Sequence, residues 1–407
     1  MNFLYETPIV KNFLDVDLYK FTMWQAIFHN YRYSKCSYRF VNRSAKSGVK
    51  LGELINALQD EVQNWGDFRF TPMQLIYLES LGYFKEDFLD YLSNFKINPD
   101  NLKIKLGFDG DLDISTNLSS WCDTIWYETA VLSTVNELYY IFKNEDDGEG
   151  PYLECFGDAR VKLYKKCAYL KQNPLPIMEF GTRRRFSAGW QEEVLTTLLK
   201  NTNSIVGTSN VHLAMTYNIP CLGTMAHEFL SGHLGLVKDI KDAQRVALNV
   251  WGKEYGDKLA VALTDTFTTD SFFRDMDEKT TNFYTGLRHD SGCPFEFGEK
   301  ALAHYKKFNI DPMNKKLVFS DGLDLELATQ IQKRFANRIK VVFGIGTSLT
   351  NDMGGSHKPL SIVMKLVQMQ KDANSPVVEC VKLSDNPEKA IGEKSMVEAV
   401  KKAYGVN

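Results

Sequence analysis

Between residues 176 and 348 the chain repeats one arrangement seven times: a short apolar segment, then a polar loop. The apolar segments are Pro176–Phe180, Ser204–Val206, Pro220–Leu222, Leu259–Leu263, Tyr284–Leu287, Leu317–Phe319 and Val341–Phe343. Helical patterns such as Lys238–Trp251 and Phe295–Phe308 lie between most of them. Short apolar runs alternating with helices predict parallel strands, because a chain that must re-enter the same edge of a sheet needs a crossover. Seven segments without a reversal predict an α/β fold with a closed or nearly closed (β/α) barrel of about seven parallel strands. A doubly wound open sheet is the alternative. In both, ligands meet the carboxyl ends of the strands.

The seven loops at those ends are Gly181–Arg185, Gly207–Asn210, Gly223–His227, Thr264–Thr266, Arg288–Gly292, Ser320–Asp324 and Gly344–Ser348. Asp265, Asp290 and Asp321 supply carboxylates suited to Mg²⁺ or to ribose hydroxyls. Glycine-rich turns let backbone N–H groups approach phosphate. Arg183 and Arg288 can neutralise phosphate or carboxylate oxygens. His227 follows Gly223 and Thr224; with an unperturbed pKa of about 6.5, a histidine there can act as acid, base, ligand or nucleophile. The rim therefore reads as a site for a sugar phosphate bearing further anionic groups.

The flanks read as a second α/β unit. Asp15 or Asp17 caps a helix running to about Asn30, with Tyr19, Met23, Ala26 and Ile27 on one face. A strand over Lys35–Asn42 precedes helices over 51–65, 72–81 and 85–95. Two strands, Lys103–Leu106 and Leu112–Thr116, surround the turn Asp109-Gly-Asp111. A long helix covers Thr124–Lys143, and the acidic, glycine-rich stretch Asn144–Pro151 reads as a surface loop and domain boundary. The tail predicts a hairpin of 361–370 with 377–383 and a helix over Met396–Tyr404. The expected division is thus 1–145 joined by 353–407 as one domain, and 146–352 as the barrel.

A net charge of -3 lacks the basic footprint of a nucleic-acid binder. No apolar run is long enough to span a bilayer. The seven cysteines are scattered without CxxC pairs, and Met1–Glu6 carries no basic, apolar leader, so a cytoplasmic protein with reduced thiols is expected.

Five stretches carry a resemblance that covers most of the chain: Asp17-Leu-Tyr-Lys-Phe-Thr-Met-Trp-Gln-Ala26, Glu179-Phe-Gly-Thr-Arg-Arg-Arg185, Gly223-Thr-Met-Ala-His-Glu228, Leu287-Arg-His-Asp-Ser-Gly292 and Phe343-Gly-Ile-Gly-Thr-Ser-Leu-Thr-Asn-Asp352. In this order they resemble the nicotinate phosphoribosyltransferases. The resemblance implies an irregular α/β barrel plus an α/β domain built from both termini. It implies transfer of phosphoribosyl from 5-phosphoribosyl 1-diphosphate to nicotinate, coupled to ATP hydrolysis through a phosphorylated His227, with Mg²⁺. It also implies a homodimer whose partner contributes Tyr19. Cys293 departs from the pattern, since many relatives carry an acid there.

The roles implied are as follows. Phe180 and Tyr19 stack on nicotinate, and Arg43 contacts phosphate. Asp290 stands beside the ribose and the metal-bound substrate, while Arg183 and Arg288 stabilise departing diphosphate. Asp265 orients His227. Asp321, Gly322, Gly344, Gly346 and Thr347 form the 5′-phosphate cradle. Ser209, with Asn210, reads the carboxylate of nicotinate, although Ser or Asn there could equally cap the following helix. Two other functions stay open at this point: a metal-dependent barrel hydrolase using His227, His233, His289 and Asp265, and a non-catalytic pyridine-nucleotide sensor.

Overall fold

The structure, a computed structural model, describes residues 7–147, 149–354 and 357–406. Its strands are β1 (Lys35–Asn42), β2 (Leu102–Leu106), β3 (Leu112–Thr116), β4 (Ser119–Ser120), β5 (Ile177–Glu179), β6 (Ile205–Thr208), β7 (Val261–Leu263), β8 (Gly286–His289), β9 (Lys316–Phe319), β10 (Lys340–Ile345), β11 (Ile362–Gln370) and β12 (Val377–Glu379). They form two separate six-stranded sheets.

The first sheet runs β12-β11-β1-β3-β2, with β4 also paired to β1, and is antiparallel throughout. Strands from both ends of the chain meet in it: β1 and β11 pair from Lys35↔Gln370 to Asn42↔Ile362. Alternation explains its two faces. Tyr38 and Phe40, Ile104, Ile114, Met364 and Leu366 are buried, whereas Arg39 and Lys103 between them are exposed.

The second sheet is parallel, in the order β6-β5-β10-β9-β8-β7. It holds six strands, not about seven. The segment Pro220–Leu222 contributes a single bridge, Thr208↔Cys221, with Leu222 N–H donating to the Thr208 carbonyl at 2.8 Å. A Cβ on Gly207 would lie 2.4 Å from the Pro220 carbonyl oxygen, so this approach requires glycine. Two residues later, Thr224 Oγ1 donates to the carbonyl of Val261 in β7 at 3.1 Å. Residues 220–224 thereby link the two outer strands of the sheet.

The helix Leu18–Asn30 joins the two units. It was expected to bury one face; instead every residue from Leu18 to Phe28 is buried. Leu18 N–H donates to the Ser209 carbonyl at 2.7 Å, and Thr22 Oγ1 to the Thr224 carbonyl at 2.6 Å, which fixes the helix against the strand-end loops. Its buried polar side chains are paired: Lys20 with Glu128 and Glu228, and Gln25 with Glu254. The helix Pro72–Ser80 starts at a capping box of Thr71 and Gln74, with proline at its first position.

The expected loop at 144–151 is a correction. Helices Tyr127–Asp147 and Glu149–Gln172 run through it, with only Gly148 outside the described residues. Met1–Glu6, on which the absence of a leader was read, also lies outside them. Among the described residues no helix is long and apolar enough to cross a membrane.

Candidate active site

His227 opens the helix His227–Gly232, where the chain leaves the rim loop. Its Nδ1 lies 3.0 Å from Thr266 Oγ1. Its Nε2 lies 2.9 Å from Asp290 Oδ2, 3.6 Å from Asp265 Oδ1 and 2.8 Å from Lys382 Nζ. Burial pulls the imidazole below its ordinary pKa; Asp265 only partly offsets this, and the Lys382 ammonium adds to the depression. The ring is therefore neutral near pH 7, with a nitrogen lone pair available.

Asp290 follows β8 and is held on both oxygens. Arg288 Nη2 and Ser320 Oγ donate to Oδ1 at 3.0 Å and 2.7 Å, while Oδ2 faces His227. Burial would raise its pKa, but Arg288 and His227 outweigh burial and hold the carboxyl well below the usual range. Asp265 is fully buried; Ser291 Oγ donates to its Oδ2 at 2.6 Å and Lys382 Nζ stands 3.2 Å from the same atom. Here too burial acts upwards, but the neighbouring His227 and Lys382 outweigh it and hold the carboxyl below its ordinary pKa.

Two cavities meet at this cluster. One, of about 80 Å³, is lined by Tyr19, His227 and Asp290 and by Lys365 and Lys382 from the C-terminal segment. The other, of about 680 Å³, is lined by Phe180, Arg184, Gly322, Gly344, Gly346 and Thr347. Arg183 and Arg288 line both. The two cavities thus gather Lys162, Arg183, Arg184, Arg288, Lys365 and Lys382 against the acids Glu128, Glu228, Asp290 and Asp352, an excess of positive charge suited to polyanions.

His227, Asp265 and Asp290 place one ligand atom each within 4.8 Å of one another. They do not make a dedicated magnesium cage. Both Asp290 oxygens are already engaged, the Lys382 ammonium stands in the cluster, and only Asp265 Oδ1 lacks a hydrogen-bond partner. Magnesium needs near-octahedral oxygen donors, which this set does not supply.

Residues 175–407 match the Nicotinate phosphoribosyltransferase (NAPRTase) family, and residues 14–136 match that family's N-terminal domain. The chain belongs to the nicotinate phosphoribosyltransferase family. It is 40% identical over 401 residues to the nicotinate phosphoribosyltransferase of Yersinia pestis, covering 98% of this chain and 97% of the relative. The Burkholderia pseudomallei relative is 39% identical with the same coverage. The fold agrees with the crystal structure of nicotinate phosphoribosyltransferase from Vibrio cholerae, with a TM-score of 0.91, 36% identity and coverage of 99% and 96% of the two chains. The Porphyromonas gingivalis structure gives 0.90, 33%, 98% and 100%. The chain is accordingly an enzyme of this family.

Several expected nicotinate phosphoribosyltransferase site residues stand elsewhere than expected. Tyr19 lines the cavity of its own chain, its hydroxyl 3.3 Å from Glu128 Oε2 and its ring 6.0 Å from the Arg183 guanidinium carbon. Phe180 lines the larger cavity, 5.9 Å from the Arg288 guanidinium carbon. Ser209 is buried and lines neither cavity; its hydroxyl donates to Asp17 Oδ1 at 2.6 Å. Asn210 caps the next helix by accepting from Leu213 N–H at 3.0 Å, as the capping alternative held. Asp17 begins the first helix without a side-chain cap bond, because it is occupied with Ser209.

Asp321 does not line the larger cavity, although Ser320 and Gly322 on either side of it do. Lys389 Nζ stands 2.7 Å from each of its oxygens, and a carboxylate would repel phosphate. Gly344 lines the larger cavity, and a Cβ there would lie 2.6 Å from the Phe180 ring. Arg43 is half-buried and lines neither cavity, although its charge helps depress Arg184 after burial and Arg183. Cys293 is an exposed thiol before the helix Pro294–Lys307.

The histidines of the hydrolase alternative do not assemble. His233 Nδ1–H donates to the Phe229 carbonyl at 2.6 Å and its Nε2 accepts from Tyr31 at 3.0 Å. Burial takes its pKa down to about 4. His289 is buried against Phe297 and Phe319, with ring centroids 5.1 Å and 5.7 Å away.

Sequence reasoning missed Arg184, Lys365, Lys382 and Lys389. The alternation of Ile362-Val-Met-Lys-Leu366 could have placed Lys365 on the face away from Met364 and Leu366. Nothing local marks Lys382, which lies 155 positions from His227.

Proposed function

We propose that the chain transfers the 5-phosphoribosyl group of 5-phosphoribosyl 1-diphosphate to nicotinate, forming nicotinate mononucleotide and diphosphate. Family membership supports the reaction. The observation that carries its placement is the sharing of Arg183 and Arg288 by two cavities, one open to glycine-lined loops and one floored by His227. In the reaction the C1–oxygen bond to diphosphate breaks, its electron pair leaving with diphosphate, and the pyridine nitrogen supplies the pair for the new C1–N bond. Arg183 and Arg288 offset the charge growing on diphosphate, and the ionised Asp290 offsets positive charge at the ribose. Magnesium, in this reading, arrives with diphosphate rather than on a protein cage, and supplies further charge neutralisation there. The loops at Gly322 and at Gly344–Thr347 are the proposed 5′-phosphate cradle.

The ATP-coupled step belongs to the same proposal. A neutral His227 attacks the γ-phosphorus of ATP, ADP leaves, and the phosphohistidine later yields phosphate to water. The pairing of β1 with β11 supports reading 1–145 with 353–407 as one domain beside 146–352. The test is an assay for nicotinate mononucleotide and diphosphate with and without ATP. Product formed without any gain from ATP would leave the transfer standing and remove the coupling; no product under either condition would remove both.

A further inference from the structure

One row of the antiparallel sheet violates charge pairing. Lys365 on β11 is directly opposite Arg39 on β1; Arg39 is opposite Ser115 on β3; and Ser115 is opposite Lys103 on β2. Directly opposed residues share a face, so three cations and one hydroxyl stand in a single line across four strands. With strands about 4.8 Å apart, the line is roughly 14 Å long. Like charges directly opposite one another destabilise a sheet. The neighbouring rung shows the ordinary solution, since Lys105 on β2 stands opposite Asp113 on β3.

Among the described residues no acid forms an ion pair with this row. Among the described residues Arg39, Lys103 and Lys365 make no ion pair and no side-chain hydrogen bond, and Glu128 acts on Lys365 from beyond ion-pair distance. The two acids that also line the cavity are occupied. Glu379 Oε1 accepts from Gln368 Nε2 at 2.8 Å, and Glu393 caps the helix Lys394–Ala403. The row is the floor of a cavity of about 620 Å³. This cavity shares Lys365, Cys380 and Ile391 with the cavity of His227, so its inner end reaches the active site.

We infer that this strip is a binding site for a linear polyphosphate, docked along Lys103, Ser115 and Arg39 with its inner end at Lys365. An unpaired, self-repelling row of cations is stabilised when an anion lies along it, and a chain of phosphates matches its linear spacing better than a single compact anion. The ligand is the phosphate chain of a nucleoside triphosphate or a free diphosphate or triphosphate.

The test uses Arg39→Gln/Lys103→Gln in the full chain, leaving Lys365 in place. Calorimetric titrations with tripolyphosphate, ATP and diphosphate, each at low and high salt and without nicotinate, compare it with the unmodified protein. Affinity for at least one of the three should fall about ten-fold, and the remaining binding should be less sensitive to salt. Whichever anions lose affinity identify the source. Arg39→Lys should retain binding, and neutralising the row should raise the melting temperature of the free protein. Lys103→Gln alone is the fallback if the double variant does not fold. Unchanged affinity for all three anions overturns the inference. Without nicotinate no phosphoribosyl transfer takes place, and diphosphate is not the phosphoryl donor proposed for His227, so the diphosphate arm is independent of both nicotinate transfer and histidine phosphorylation.

Discussion

Lys382 and Asp290 address the same atom: Nε2 of His227 lies 2.8 Å from the ammonium and 2.9 Å from the carboxylate. An ammonium only donates and a carboxylate only accepts. Nε2 therefore satisfies one neighbour at a time, donating to Asp290 when protonated and accepting from Lys382 when bare. Phosphorylation of this nitrogen would end its contact with Asp290 and set phosphoryl oxygens near Lys382. The histidine thus stands between a carboxylate from the loop after β8 and a cation from the C-terminal segment.

This geometry gives the first prediction. His227→Ala abolishes stimulation by ATP while leaving some uncoupled transfer, and γ-labelled ATP leaves no label on the protein. Lys382→Met lowers the steady-state level of label without removing it. Label remaining on the Ala variant would move the modified residue elsewhere.

Tyr19 in its own chain's cavity makes a second prediction. Mixing inactive Tyr19→Ala chains with inactive Asp290→Ala chains restores no activity, even after proven subunit exchange. Recovery near one working site per pair would show that Tyr19 acts across an interface.

Ser209 is a buried donor to Asp17, whose pKa burial has raised despite Arg183. Ser209→Asp opposes two carboxylates in a dry site and should cost roughly 3 kcal/mol or more of stability. Denaturant unfolding reads this directly. A variant of normal stability with altered base preference would instead place Ser209 at the substrate.

Lys20 is fully buried, 2.6 Å from Glu128 and 2.5 Å from Glu228. Lys20→Met leaves two buried carboxylates without their cation and should cost about 3–5 kcal/mol. A loss below about 1 kcal/mol would mean that the two acids share a proton instead.

His233 carries a pH prediction. Its folded pKa of about 4 lies below the ordinary value, so the unfolded chain binds the extra proton first. Its contribution is complete above about pH 6.5 and is lost as pH falls towards 4, amounting to roughly 3 kcal/mol. Unfolding free energies at neutral pH and near pH 5 should differ less in His233→Gln than in the unmodified protein. Equal differences would show that His233 does not control this window.

Local chemistry alone determined much of the protein. The strand Lys35–Asn42 was legible because Tyr38 and Phe40 alternate with Arg39 and Val41, and the seven strand–loop repeats placed His227, Asp290, Arg183 and Arg288 on one rim. Periodicity is a property of neighbouring residues, so sequence carries it openly. The tertiary structure decided everything that depended on which distant segment arrived beside these residues. It reduced Pro220–Leu222 to one bridge, gave Ser209 to Asp17 across 192 positions and gave Asp321 to Lys389. It also brought Lys365 and Lys382 from the C-terminal segment into the cavity of His227. A buried donor or charge is assigned by whichever partner the packed chain brings within hydrogen-bond distance, and no local pattern encodes that choice.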